Sequence, residues 1–395
     1  MSGAVIRRHT YGESVGEAPP FIGIASLRPI APSMRGDYVR VITSAPEPGE
    51  ALDGYGAILT DLPGDGLQTA TAASPPAPTI DKAEHLEHIR DGDILRLDFR
   101  RGFVRSLYRV GSPHNVIFAT DQCNSNCLMC SQPPKDVDDS EVVNEHLRLV
   151  KLVPPSTEEL CITGGEPTLL GEGLFRILAT CKAALPITRL HMLTNGRLFY
   201  YREYAQRLAE VDHPYLTLGI PVYSDRAAIH DYVVQAKGAF DQTLVGLHNL
   251  ARYGRRIEIR VVIHKQTYKR LPQLAEFLYR NCPFAVHVAL MGLELMGYTK
   301  TNLRDLWIDP FDYQDELAAA VTYLSQAGMN VSIYNHQLCV LRRAVWPYAR
   351  KAISDFKNIY LDECQQCGVL DRCGGLFKST ERIHSKYISP ISVQV

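Results

Sequence analysis

Cys123, Cys127 and Cys130 stand in the run CNSNCLMC, directly after an apolar stretch at 116–119 that reads as a strand. Three thiolates spaced C-x3-C-x2-C on one tight loop can hold three irons of a four-iron cluster. The fourth iron then lacks a protein ligand, whereas an electron-transfer ferredoxin normally closes its site with a fourth cysteine, so the spacing points to chemistry on a bound small molecule. The alternative is a zinc knuckle. Zinc sites usually pair C-x2-4-C with a second close pair, and none lies within the thirty residues after Cys130.

Further on, Cys161-Ile-Thr-Gly-Gly-Glu-Pro167 is a short apolar strand ending in a glycine pair and an acid. Paired glycines let a backbone come close to a ligand, and their carbonyls together with Glu166 can accept hydrogen bonds from an ammonium group. Without the cysteine triad this would be an ordinary glycine turn.

With both motifs present, the chain from Asn115 to its C-terminus resembles the radical S-adenosylmethionine (radical SAM) enzymes. The resemblance implies a [4Fe-4S] cluster on Cys123, Cys127 and Cys130, with SAM chelated to the open iron and its ammonium received by Gly164, Gly165 and Glu166. It also implies that reductive cleavage of SAM yields a 5'-deoxyadenosyl radical that abstracts hydrogen from an unreactive carbon. Met129 stands where the family often places a residue beside the adenine, its alternative being loop packing. Thr194-Asn195-Gly196 resembles the strand end that borders the nucleoside. Ser224 and Asp225 are candidates for the ribose, and Arg260 for the SAM carboxylate unless it faces outward. His264 ends the same strand.

Cys364-Gln-Gln-Cys367 followed by Cys373 resembles the twitch or SPASM extensions of radical SAM enzymes, which bind auxiliary clusters; Cys339 is the fourth ligand implied. Four cysteines close one site, which favours the shorter twitch form, while structural zinc suits the same thiolates. Within the superfamily, Cys123-Asn-Ser-Asn-Cys-Leu-Met-Cys-Ser-Gln-Pro-Pro134, Tyr334-Asn-His-Gln-Leu-Cys339 with Trp346-Pro347, and 364–375 resemble the His-Xaa-Ser system maturases of C type. That implies a ribosomally made precursor peptide as substrate, a second radical SAM maturase and a small accessory protein as partners, and a flavodoxin or ferredoxin as reductant. A small metabolite or an RNA base is the other enzyme reading, and an iron-sulfur or zinc scaffold assisting a partner the non-enzyme one.

These residues need a frame that brings distant loops together. From Asn115 the pattern alternates strands at 116–119, 159–163, 189–194, 215–220, 257–263 and 285–290 with amphipathic segments such as 198–211, 239–253 and 271–281. Six parallel β/α units predict an α/β fold, a partial (β/α)6 barrel over 113–305, whose strand ends carry the cysteine triad, 164–166 and 194–196 on one rim. Residues 1–112 read as a β-rich module for substrate or partner binding, with strands at 38–43 and 57–60, a hairpin of 93–98 with 103–108, and a Pro-rich loop at 69–78. Residues 306–395 form the auxiliary-cluster extension, with a strand-like 331–334.

At 395 residues and 46% apolar content the chain can bury a large core. A start without an apolar signal segment, and no stretch able to span a bilayer, predict a soluble, cytoplasmic protein with reduced thiols and no membrane partner. A net charge of -1 argues against nucleic acid. Cys161, Cys181 and Cys282 read as buried small apolar residues, and His213, His230, His248 and His287 lack ligand spacing.

Overall fold

The computed structural model describes residues 9–15, 17–44, 50–63, 77–352 and 358–392. The Pro-rich tract at 69–78 therefore lies, apart from Ala77 and Pro78, outside the described residues, as do residues 1–8 at the chain start.

The first sheet comprises β1 (His9–Tyr11), β2 (Glu13–Val15), β3 (Phe21–Ser26), β4 (Tyr38–Ile42), β5 (Ala57–Thr60), β6 (Thr79–Asp81), β7 (Ile94–Asp98) and β8 (Phe103–Tyr108). The last two are the expected hairpin, paired antiparallel with Asp98 opposite Phe103. Strand order is β1-β8-β7-β3-β4-β5-β6-β2. The two end strands are separated only by Gly12, so the single segment 9–15 pairs with both margins and closes the sheet on itself. Gly12 makes this possible by close approach. Its N–H donates to Gly102 O at 2.8 Å, and a Cβ there would lie 2.4 Å from Asp81 O. Inside is a core of its own that includes Val39, Leu59, Ile80, Leu95 and Leu97.

The second sheet is wholly parallel and runs in sequence order: β9 (Asn115–Phe118), β10 (Glu159–Thr163), β11 (Arg189–Leu193), β12 (Leu216–Pro221), β13 (Arg256–Ile263), β14 (His287–Gly292), β15 (Val331–Tyr334) and β16 (Ala349–Arg350). The six expected strands are present, and two more continue the sheet across position 305. Connecting helices are α1 (Val142–Leu152), α2 (Glu172–Ala184), α3 (Arg202–Val211), α4 (Ala227–Val234), α5 (Ala239–Arg252), α6 (Leu271–Asn281), α7 (Tyr298–Thr301), α8 (Leu303–Leu306) and α9 (Gln314–Gln326). The longer ones bury an apolar stripe, as α6 does with Leu271, Leu274, Ala275 and Leu278 at i, i+3, i+4 and i+7. The facing strand positions, such as Ile257, Ile259, Val261 and Ile263 of β13, complete that core. By the two-residue alternation, Glu258, Arg260, Val262 and His264 turn to the inner face.

The amphipathic stretch 198–211 is broken rather than continuous. A 3-10 turn at Arg197–Tyr200 precedes α3, because the Asn249 amide donates to the carbonyls of Phe199 and Tyr200 at 2.9 and 3.0 Å and satisfies them outside a helix. The first sheet packs on α1. Ile22, Ile94 and Tyr108 join the barrel core, Arg96 bonds Glu145 at 2.8 and 2.9 Å, and the Arg148 guanidinium lies 4.9 Å over Phe21. Among the described residues no helix is long and apolar enough to cross a membrane.

Candidate active site

The loop carrying Cys123, Cys127 and Cys130 leaves the C-terminal end of β9 without regular secondary structure, so its shape depends on what grips it. The end of β10 supplies the first grip. Gly165 N and Glu166 N donate to Thr120 O and Gln122 O at 2.7 and 2.8 Å, and a Cβ on Gly165 would lie 2.1 Å from Gln122 O. The glycine pair is thus required by backbone crowding against the loop itself, a different reason from the ligand approach expected. A second grip comes from α4, whose Val234 and Val233 carbonyls accept from Asn126 N and Leu128 N at 3.0 and 2.9 Å. The third comes from residues after β14. Tyr298 N donates to Cys130 O at 2.8 Å, and the Asn302 amide to Leu128 O at 2.8 Å.

A fourth grip, missed in the sequence, is Arg197. Its guanidinium bonds Asn124 O, reaches Ser125 Oγ at 3.0 Å and is steadied by Gln242 Oε1 at 2.7 Å. The Asn195 side-chain amide donates a hydrogen bond to Asn124 Oδ1 at 2.6 Å. Nothing in a Thr-Asn-Gly-Arg run marks the arginine as a loop anchor.

Burial pushes the Cys123 thiol up to about 11 and Cys127 to about 12, with neighbouring thiols raising both and the Arg197 charge opposing. Burial raises Cys130 as well, and its Sγ–H donates to Gln132 O at 3.0 Å. Bare, these groups keep their protons near neutral pH. A cationic metal is what converts such thiols to thiolates, so this buried three-thiol donor set fits an iron cluster. Among the described residues no three His, Cys, Asp or Glu are gathered tightly enough for a single metal ion; a four-iron cluster asks instead that each thiolate take a separate iron.

Glu166 is fully buried. Its Oε1 accepts from Thr168 N (3.0 Å), Thr168 Oγ1 (2.6 Å) and Thr194 Oγ1 (2.6 Å), and its Oε2 from Asn195 N (2.6 Å). Burial raises its pKa against the pull of these four donors. The carboxylate is first a tether joining the ends of β10 and β11, which corrects its reading as an open acceptor: an ammonium can reach only the spare lone pair of Oε2.

Other expected contacts are also differently engaged. Met129 is buried in an apolar cluster with Tyr223, Val233 and Val234, the loop-packing alternative. Thr194 and Asn195 reach the rim as expected, but as partners of Glu166 and Asn124. Ser224 Oγ accepts from Arg226 N at 3.2 Å. Asp225 is held by both arms of Arg270; burial works against its charge, yet the arginine keeps its carboxyl below the usual range. Arg260 faces the barrel interior, where its guanidinium already bonds Glu258 Oε1 at 2.6 Å and Met291 Sδ at 3.2 Å. His264 is buried; its Nδ1 accepts from Gln266 N at 3.3 Å, and its Nε2 finds no partner among the described residues.

Glu258 gathers a polar network that strand periodicity alone could locate only as inward-facing. His287 Nδ1 lies at 2.8 Å and Ser332 Oγ at 3.0 Å from the other ring nitrogen, with His191 at 3.5 Å from Glu258. Burial raises the Glu258 carboxyl, and the two histidines and Arg260 outweigh it, holding the group well below its ordinary value. His213 and His230 serve backbone groups, and His248 packs edge-on to Phe284. Cys181 and Cys282 are buried in the core as expected, while Cys161 is only half-buried on the inner face.

Cys339, Cys364, Cys367 and Cys373 line one cavity of about 350 Å³ walled by Leu338, Ile388 and Ile391. Backbone N–H groups already point at two sulfurs: Leu338 N at Cys373 Sγ (3.5 Å) and Ile391 N at Cys367 Sγ (3.4 Å). Burial raises the thiols of Cys339 and Cys364; Cys339 also feels Cys373 and Cys364 as neighbouring charges, and Cys364 feels Cys373 and Cys367. Four cysteines lining one cavity with N–H groups aimed at sulfur have the donor chemistry of an iron-sulfur cluster, although as placed they are not gathered tightly enough for a single ion such as zinc.

Residues 117–278, which hold the cysteine loop, the Gly-Gly-Glu turn and the rim of β11, match the family model of the radical SAM superfamily. This stretch is a radical SAM domain. Over 162 residues the chain is 30% identical to Fe-coproporphyrin III synthase of Methanosarcina barkeri, covering 40% of this chain and 39% of that protein. It is 30% identical over 169 residues to pre-heme d1 synthase of Dinoroseobacter shibae, 42% of this chain and 40% of the other. The chain thus matches about two-fifths of the length of these curated relatives. Among solved structures, Streptococcus suis SuiB bound to S-adenosylmethionine aligns at 18% identity with a TM-score of 0.45, over 57% of this chain and 51% of that one. The anSMEcpe enzyme with AdoMet and Cp18Cys peptide aligns at 17% with a TM-score of 0.42, over 55% and 62%.

Proposed function

We propose that the chain is a radical SAM enzyme that reductively cleaves SAM and uses the resulting radical to modify a ribosomally made peptide. The observation that carries this is the three-thiol loop, held on the barrel rim by Gly165, Glu166, Asn195 and Arg197. Cys123, Cys127 and Cys130 hold the [4Fe-4S] cluster, which when bound with SAM supplies the 5'-deoxyadenosyl radical. The chain's own residues fix the loop, bury the thiols from water and line the barrel interior with the Glu258 network, which can orient polar groups of a substrate. Cys339, Cys364, Cys367 and Cys373 hold an auxiliary cluster, zinc being the other occupant their chemistry suits. The first sheet, with His9, Tyr11 and Phe103 clustered at ring separations of 5.2 to 6.0 Å, serves to engage the peptide or a partner maturase, alongside a small accessory protein and a flavodoxin or ferredoxin reductant.

A small-metabolite substrate is the second reading, favoured by the names of the two curated relatives, Fe-coproporphyrin III synthase and pre-heme d1 synthase. The test is anaerobic reconstitution of the wild type and of a Cys123→Ala, Cys127→Ala, Cys130→Ala triple variant. The wild type should form 5'-deoxyadenosine and carry about eight irons, or about four with one zinc if zinc fills the second site. The variant should form none while keeping its C-terminal metal. Deoxyadenosine from the triple variant would overturn the assignment of the SAM cluster to Cys123, Cys127 and Cys130, and none from the iron-loaded wild type would leave only the scaffold reading. Mass spectrometry of a co-expressed precursor peptide separates peptide from metabolite.

A further inference from the structure

The loop of Cys123, Cys127 and Cys130 reaches the surface at its tip, where Asn126 is exposed. Cys127 and Leu128 pack there against an apolar cluster of Met129, Val233, Val234 and Leu306, which joins the loop to α4 and α8 as one unit. Lys265 Nζ reaches Arg304 O at 3.4 Å and Arg270 grips Asp225, so the turn after β13 belongs to the same face.

That face is charged with one sign. Lys237, Lys265, Lys269, Lys300 and Arg304 are exposed, and among the described residues none of them forms a salt bridge. The carboxylates of the same segments are turned to internal work: Asp225 holds Arg270, and Asp231 accepts from Gly238 N and Phe240 N at 2.6 and 2.8 Å. That leaves Asp305 exposed and Glu294 half-buried against five cations, in a chain whose net charge is -1. Across the loop the sign reverses. Asp136, Asp138 and Glu141 are exposed on the segment that Gln122 Nε2 ties to the loop base through Val137 O at 2.8 Å. The potential is therefore asymmetric about the cysteines, and an acidic body is drawn to the α4 and α8 side and turned away from the other.

A substrate must present its carbon to the barrel interior, which Glu258 and Arg260 line, whereas an electron needs only a short path to the loop. Redox encounters between proteins bury little surface and are guided by charge. We propose that this basic face docks the acidic protein that delivers the electron, a small one-electron carrier of the flavodoxin or ferredoxin class. The carrier's reduced cofactor gives up one electron, and a cluster on the three cysteines takes it. This rests on the radical SAM reading and gives it the surface through which it is reduced.

The first test is binding without turnover. Titration calorimetry would measure oxidised flavodoxin against the full-length, anaerobically reconstituted chain and against a variant carrying Lys237→Gln, Lys265→Gln, Lys300→Gln and Arg304→Gln. The wild type should bind roughly ten-fold more tightly at low salt and lose that advantage at about 0.5 M salt, where exposed charges are screened within a few Å. A control carrying Arg100→Gln, Arg101→Gln, Arg176→Gln and Lys182→Gln removes the same charge from exposed positions elsewhere and should bind within about two-fold of wild type. Equal binding by the first variant, an equal loss in the control, or wild-type affinity indifferent to salt would overturn the assignment. Deoxyadenosine formation driven by reduced flavodoxin should fall by a similar factor in the first variant, while formation driven by dithionite, which needs no docking, stays within about two-fold. A variant that keeps flavodoxin binding but loses peptide modification under dithionite would give the face to the peptide instead. No deoxyadenosine from the wild type with dithionite would refute the radical SAM reading alone, since the binding arm judges the face by itself.

Discussion

Replacing Glu166 by glutamine keeps the side chain's shape and removes its charge, so it asks whether this acid is chiefly a tether or a ligand contact. If the amide oxygen takes the Oε1 position, three bonds, from Thr168 N, Thr168 Oγ1 and Thr194 Oγ1, change from charge-assisted to neutral. Each such change costs about 1 kcal/mol. The amide nitrogen then confronts Asn195 N–H, which met Oε2 at 2.6 Å, leaving two donors opposed at about 1–3 kcal/mol. Relief of burying a charge offsets part of this, since burial is the largest influence on the group and raises its pKa. The net loss is about 2–4 kcal/mol, a large share of the stability of a cooperative unit. SAM affinity, with only one spare lone pair of Oε2 at stake, should fall less than about three-fold. The assays are denaturant unfolding of the reconstituted protein and equilibrium binding of SAM. A variant that unfolds like the wild type yet binds SAM ten-fold more weakly would refute the tether.

Arg197→Met should remove the cation facing Cys123 and Cys127, raising thiols already at about 11 and 12 and lowering iron incorporation; the pH dependence of thiol alkylation in cluster-free protein measures this, and an unmoved midpoint counts against it. His230, His264 and His336 are each lowered by burial from 6.5 to about 4, so they are neutral in the fold. Their folded values lie below the unfolded ones. Stability is therefore complete above pH 6.5 and is lost as the pH falls toward about 4, by up to about 3 kcal/mol per histidine, with flat denaturant midpoints between pH 7 and 4.5 as the contrary result. Cutting the chain near Arg109 uncovers α1 where Ile22, Ile94 and Tyr108 packed, and should destabilise the barrel by about 5 kcal/mol or more. Any truncated chain that still melts cooperatively should form deoxyadenosine but fail to modify its peptide; modification at the full-length rate would show that the first sheet recognises nothing.

The strands of the barrel and the convergence of the cysteine loop with Gly164 to Glu166 were legible because apolar alternation and C-x3-C-x2-C spacing are local signals. Cys339 was reachable too, since a fourth thiol was wanted and one stood just past a strand. What escaped were partnerships made across the rim. Glu166 with Thr168 and Thr194, Arg197 with Asn124, and Arg270 with Asp225 join residues whose spacing carries no pattern, and the first and last use carboxylates that a sequence reading had assigned to a ligand. Of the two strands beyond the sixth, 331–334 was legible, though as part of the extension, whereas β16 was obscured by being two residues long, and the broken helix at 197–202 by a distant asparagine.

A sheet that closes on itself has no selvage. In the first sheet, β1 covers 103–105 of β8 and β2 covers 79–81 of β6, so among the described residues both lateral margins are paired with the same short segment. A polypeptide that docks by lengthening a sheet needs a row of unsatisfied backbone N–H and C=O groups, and at 103–105 and 79–81 these margins are already paired. Where the margins are so paired, recognition by this unit runs through side chains and turns, in the manner of a surface and not of a zipper. Strand addition is left to the margins of the parallel sheet, at β9 and the two-residue β16, and β9 runs directly into the cysteine loop.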